Sequence, residues 1–242
     1  MSSFHAIWRQ SASAREALYK ALKADIIHLN LRPGQVITEQ QIAETLSVSR
    51  TPVREAFIKL AHEGLLETYP QKGTMVSLID MERVEEARFM RRILEKEILR
   101  LACQQFPEEL VFELRSNLAL QEICLEEKNF LRLFELDEDF HRIIYRGCNK
   151  ERIWDLVSQI SADFKRIRVL KLSSSINVKE VVKQHQEILS TILKQETSRI
   201  DNLVEEHLHT RDSKLKSLYK LYPEYFKIKM KPIGSLKNPL LK

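Results

Sequence analysis

The chain has 242 residues, 43% apolar and 30% charged, the balance of a folded, water-soluble protein of one large domain or two modest ones. No apolar run approaches the roughly 18 residues that a membrane span needs, and Arg9, Arg15 and Glu16 leave no apolar signal core. A cytoplasmic protein without a membrane partner is expected. The net charge of +5 is a poor guide to nucleic acid: from Arg211 onward nine basic residues face only Asp212 and Glu224, so this tail is net +7 and the rest net −2.

With five Gly and seven Pro, long helices are favoured over a turn-rich β architecture. Leu18, Leu22, Ile26 and Leu29 predict a helix over 14–30, ended by Leu31-Arg32-Pro33-Gly34. Thr38-Glu39-Gln40-Gln41 reads as a capping box opening a short helix to about Leu46, with Ile42, Ala43 and Leu46 inward. Ser47-Val48 makes a tight turn. Ser49 or Thr51 then caps a third helix, with Pro52 in its first turn and Val53, Ala56, Phe57 and Leu60 as its apolar stripe. Gly64 ends it. Residues 65–68 and 74–77 predict two short strands around Tyr69-Pro70-Gln71-Lys72-Gly73.

Beyond Ile79-Asp80 the pattern is helical to about Tyr222. Asp80 caps a helix carrying Val84, Ala87, Met90, Leu94, Ile98 and Leu101. Pro107 opens the next, with Leu110, Leu114, Leu118 and Leu125. Asn129 caps a third, with Leu133, Leu136, Phe140 and Ile144, stopped by Gly147. Further helices are expected over about 150–172, 178–196 and 198–220. The predicted fold is mainly α: an extension (1–13), a winged helix-turn-helix domain (14–78), an antiparallel all-α helical bundle of about six helices (79–222) and a basic tail (223–242). Cys103, Cys124 and Cys148 form no CxxC pair and read as incidental thiols in a reducing compartment.

A short helix, a tight turn and a second helix are the parts of a helix-turn-helix, whose second helix enters the major groove by its N-terminal end. Arg50 and Arg54, spaced i, i+4, share one face there, and the planar guanidinium can bond guanine O6 and N7 together. Ser49, Thr51 and the helix-start amides can hold phosphates, and Thr38 and Gln40 begin the preceding helix on the same candidate surface. Lys72 and Gly73 at the wing tip can reach the backbone or minor groove. Two isolated arginines would read as solvated charges, Arg54 paired with Glu55. Here capping, turn, hairpin and arginine positions agree on DNA.

Asp137 and His141, also i, i+4, share a helix face bordering the bundle interior, and His185 and His207 lie in later helical segments. One carboxylate with three imidazoles suits zinc, nickel, manganese or iron and argues against magnesium and calcium. Spacing alone leaves this open against satisfied core histidines. A metal-dependent helical hydrolase is one alternative, yet no general base, GxSxG or phosphate loop accompanies the set. A DNA-binding protein without effector control is another.

Residues 14–77, above all Val48–Ala56 followed by Leu60-x-x-Glu63-Gly64-Leu65 and the wing's Lys72-Gly73, resemble the GntR family of bacterial transcriptional regulators. Residues 83–210 resemble the FCD effector domain of its FadR subfamily: Asp137–His141 meets the Asp-x-x-x-His pattern, and His185 and His207 meet its two later histidines. The resemblance implies a regulator rather than an enzyme: a homodimer, usually a repressor, on a palindromic double-stranded DNA operator. It also implies a four-ligand divalent metal site, zinc first among the candidates. Arg91 matches the arginine of Arg-x-x-Leu-Glu that points toward the ligand cavity. With Arg88 it is expected to bind a small carboxylate effector that fills an open metal position. In one departure, Gln40 stands where some members carry a DNA-contacting arginine.

Overall fold

The computed structural model describes residues 14–69, 73–173, 178–208 and 212–227. Helix α1 (Ala14–Ile27) turns Leu18, Leu22 and Ile26 inward, and Leu29 and Gly34, both at positive φ, then reverse the chain. Strand β1 (Val36–Ile37) leads to α2 (Glu39–Leu46). Its capping box is formed: Gln41 N donates to Thr38 Oγ1 and Thr38 N to Gln41 Oε1, both at 3.1 Å. Ser47, left-handed at φ 53°, makes the tight turn into α3 (Arg50–His62), which buries Val53, Ala56, Phe57 and Leu60. Strands β2 (Leu66–Tyr69) and β3 (Gly73–Val76) form the wing hairpin, and β1 pairs with the other edge of β3. This third strand was not expected; two residues are too few for alternation to show.

The helical part comprises α4 (Met81–Gln104), α5 (Glu108–Glu126), α6 (Phe130–Gly147), α7 (Glu151–Ile160), α8 (Ala162–Ser173), α9 (Val178–Lys194), α10 (Ile200–Leu208) and α11 (Asp212–Leu221). Asp80 caps α4 by accepting from Glu82 N at 2.9 Å, and Asn129 caps α6 by accepting from Arg132 N at 3.2 Å. One helix expected to be continuous is divided: the 150–172 stretch breaks at Ser161, whose hydroxyl donates to Val157 O at 2.6 Å. The expected 198–220 helix opens as a 3-10 turn running into α10, and its residues 209–211 lie outside the described residues. Leu101, expected inward, is 39% exposed. Seven-residue steps from Ala87 through Leu94 drift around a 3.6-residue helix, and by Leu101 they have left the buried stripe.

One core fills the bundle around Leu114, Phe140, Trp154 and Ile167; each such side chain contributes roughly 1.5–3 kcal/mol of transfer free energy. The other is shared: Leu18, Val53 and Leu60 belong to one apolar cluster with Leu133, Leu136 and Val169 of the bundle, and α1 packs on α8. The two halves therefore lie against each other rather than on a free tether. The basic segment from residue 223 is packed as far as Lys227. Ile79 N donates to Tyr225 O at 2.8 Å and Lys227 N to Ile79 O at 3.0 Å, and Phe226 is buried. No described helix is long and apolar enough to cross a membrane.

Candidate functional site

The helix-turn-helix presents Ser49, Arg50, Thr51 and Arg54 outward on the first turn of α3, with Thr38 and Gln40 exposed at the start of α2. Burial of Val53, Ala56 and Phe57 on the opposite side fixes that orientation. Arg50 lies 3.6 Å from Glu39 with its side chain 67% exposed, so water screens the pair and a phosphate can displace it at little cost. Glu55 turns to Arg15 at 3.3 Å rather than to Arg54. Ser49 makes no side-chain cap bond, which leaves its hydroxyl and the first-turn amides available to an anion. Gly73 begins β3 at φ 97°, and Lys72 lies outside the described residues.

Deep in the bundle, α6, α9 and α10 bring His141, His185 and His207 together, with one ring nitrogen of each within 4.8 Å of the others. Each ring is held from behind. His185 Nδ1 donates to Gln121 Oε1 at 2.8 Å, His207 Nδ1 lies 3.1 Å from Gln184 Oε1, and His141 Nδ1 lies 3.7 Å from Glu95 Oε2. Gln121 has no freedom to flip: its Nε2 donates to Asn117 Oδ1 at 2.6 Å, and Asn117 donates on to Leu136 O at 3.0 Å. His185 Nε2 is thereby left a bare lone pair. It is buried without a hydrogen-bond partner, 3.4 Å from Asp137 Oδ1. His141 Nε2 and His207 Nε2 stand 3.1 Å apart. Either of these two nitrogens can donate to the other, so His185 Nε2 is the atom of the cluster left without a partner, and a cation among the three rings would meet it.

The protonation states agree. Burial drives His141 and His207 well below the ordinary imidazole range, and His185 down to about 4. All three are neutral at physiological pH, the form in which a ring nitrogen binds metal. Burial alone would raise Asp137, but Arg168 and His185 hold it well below the usual carboxylate range, so it is ionised. Burial raises Glu95 in spite of Arg91. The nitrogen-rich set, its unpartnered buried atom and the adjoining carboxylate fit a zinc-like cation and do not fit magnesium or calcium. Asp137 sits beside this cluster, its other oxygen paired with Arg168 of α8, which also donates to Glu138 at 2.6 Å.

Arg91, 2% exposed, donates from Nε to Glu95 Oε1 at 2.6 Å, with its guanidinium 5.6 Å from the Trp154 ring and 5.3 Å from that of Phe164. It stands one residue behind His141. Arg88 instead turns to Glu85 on its own helix. The void lined by Glu95, His141 and Tyr145 is about 10 Å³, room for one water, so a carboxylate enters only if these side chains part. Sequence reasoning missed Gln121, Gln184 and Arg168, and Glu95 except as part of a motif. Asn117 and Gln121 could have been found, as polar residues on the buried face that carries Leu110, Leu114 and Leu118.

Residues 14–76 match the gntR family of bacterial regulatory proteins and residues 86–210 match the FCD domain. The HTH-type transcriptional repressor RspR of Escherichia coli K12 is 29% identical over 87% of this chain and 92% of its own length. An uncharacterised HTH-type regulator from an unstable DNA locus of Streptomyces ambofaciens is 32% identical over 88% of this chain and 89% of its own. Among solved structures, E. coli McbR/YncC superposes with a TM-score of 0.72 at 21% identity, covering 88% of this chain and 100% of that one, a likeness of fold.

Proposed function

The chain belongs to the gntR family of bacterial regulatory proteins, with an FCD domain as its helical part, and on that premise we propose a regulator whose DNA binding answers to a metal-held effector. Its relatives are transcriptional regulators, and so is this chain. The observation that carries the effector reading is the convergence of three neutral imidazoles, two buried and that of His207 half-buried, with His185 Nε2 unpartnered beside ionised Asp137. His141, His185, His207 and Asp137 hold a divalent transition metal, zinc foremost. When bound, the metal supplies a Lewis-acidic centre for a carboxylate oxygen. Gln121, Gln184 and Glu95 orient the rings, and Arg91 lies near enough to pair with a small carboxylate effector once Glu95 yields.

On the DNA side, Arg50 and Arg54 read bases, while Thr38, Gln40, Ser49, Thr51 and the wing fix register on the phosphates. We take the active form to be a homodimer on a palindromic site, with two α3 helices one helical turn of DNA apart. The repressors among its relatives support repression. The test is fluorescence anisotropy on DNA selected from random sequence, with zinc-free and zinc-loaded protein and a panel of small carboxylates. A shift of about fivefold or more is expected for the matching acid. His185→Ala should keep the sequence preference and lose both zinc and the response. If affinity is the same in every state although zinc is bound, the effector reading is wrong.

A further inference from the structure

Helix α8 grips both halves of the protein within two turns. On one face Arg166, wholly buried, donates from Nη1 to Ser77 O at 2.6 Å and from Nη2 to Ser77 Oγ at 3.3 Å and Leu78 O at 3.4 Å. Asp163, paired with Arg166, accepts from Asp80 N at 3.1 Å. Residues 77–80 are the whole connection between β3 and α4. Two positions after Arg166, and so on the far side of the helix, Arg168 binds Asp137 and Glu138 on α6. Asp137 is itself 3.4 Å from His185 Nε2. The same helix contributes Val169 and Leu172 to the apolar cluster that holds Leu18 of α1.

We propose that α8 is the element through which occupancy of the histidine site reaches the DNA-binding domain, with Arg168 and Arg166 as its two positioning residues. The proposal rests on the metal reading above. Asp137 has one negative charge to share. Once it is drawn to a cation among the histidines it ceases to be a full partner for Arg168, which is left to Glu138. The seat of α8 changes with it. Arg166 cannot stay behind, because a buried guanidinium that loses its acceptors is strongly disfavoured. The carbonyls of Ser77 and Leu78 therefore follow the helix, and with them the angle at which α3 is presented.

Hydrogen–deuterium exchange with zinc alone as the probe tests this. In the wild type, one equivalent of zinc should change exchange at the amides of 77–80 and 162–169 together, by several-fold. Arg168→Gln should still bind one zinc per chain but show the same linker exchange with and without it. Arg168→Lys, which keeps the charge but grips only one carboxylate, should lose at least half of the zinc-dependent change and covers the case that the glutamine variant fails to fold. Zinc bound with no change at 77–80, or the full change retained in either variant, overturns the relay. A wild type that binds no zinc overturns the metal reading itself, and the relay with it.

Discussion

His185 is buried to the point of zero exposure, yet its Nε2 has no hydrogen-bond partner, and leaving a polar atom so placed is costly unless something else meets it. The ring is held in that attitude by Gln121, itself held by Asn117. Gln121→Leu removes the acceptor for the Nδ1 proton and frees the ring to change tautomer. Zinc affinity, measured by competition with a chromophoric chelator, should fall about 10–100-fold with stoichiometry unchanged. Affinity that does not move would mean the glutamine serves packing alone. A second expectation concerns acid. In the zinc-free protein His185 titrates near 4 in the fold and near 6.5 in the unfolded chain, so unfolded molecules take up the proton first as pH falls. Stability should be level above about pH 6.5 and then fall toward pH 4, by up to about 1.4 kcal/mol per unit for this one group. His141 and His207, also held well below the ordinary imidazole range by burial, add losses of the same sign. Urea midpoints at pH 7.5, 6 and 5 check this; a flat profile would place the rings in water. The histidines could be picked out because each interrupts an apolar helical face. Arg168 could not, because its partners lie 31 and 30 residues away and a pairing between helices leaves no local pattern.

Helix α3 shows what periodicity delivers at the scale of an element. Its apolar stripe fixes the buried side, and that alone turns Arg50 and Arg54 to solvent. Arg54→Ala is therefore expected to cost roughly 1–3 kcal/mol of operator affinity and to relax discrimination at one base position, with the melting temperature unchanged. Uniform weakening on every sequence would reassign Arg54 to phosphate. The cap of α2 is separable from this face in measurement. Thr38→Ala removes the side-chain acceptor for Gln41 N, leaving only the backbone half of the capping box, and should lower stability by about 1 kcal/mol, or some 2–4 °C in Tm for a chain of this size. Elements whose limits are set by tertiary contact were less legible. No Gly or Pro marks the break at Ser161, and the chain turns there so that Asp163 and Arg166 can meet the linker. A two-residue strand such as β1 exists only because β3 offers an unpaired edge.

At the scale of the whole molecule, the boundary near Ile79-Asp80 is visible in sequence as a change of period, but its mechanical character is not. The connection is braced from two sides, by α8 and by a segment 146 or more residues away: Tyr225 and Lys227 close backbone hydrogen bonds on Ile79, and Lys227 lies 3.2 Å from Asp80 at the cap of α4. That bracing segment lies beyond the stretch matching the FCD domain, residues 86–210. Phe226 anchors it, 2% exposed and 4.2 Å from the Tyr219 ring. Truncating such a side chain leaves a cavity and typically costs about 3–5 kcal/mol, but the position of this one adds a specific consequence. In Phe226→Ala the backbone pairing to Ile79 loses its anchor, so local opening of 77–80 should become frequent while the bundle and the wing stay folded. Limited proteolysis should then cut first within 77–80, giving two stable fragments at a rate several-fold above wild type. Cleavage spread across the bundle would instead make Phe226 an ordinary core residue, because loss of the brace alone cannot expose α5 or α6.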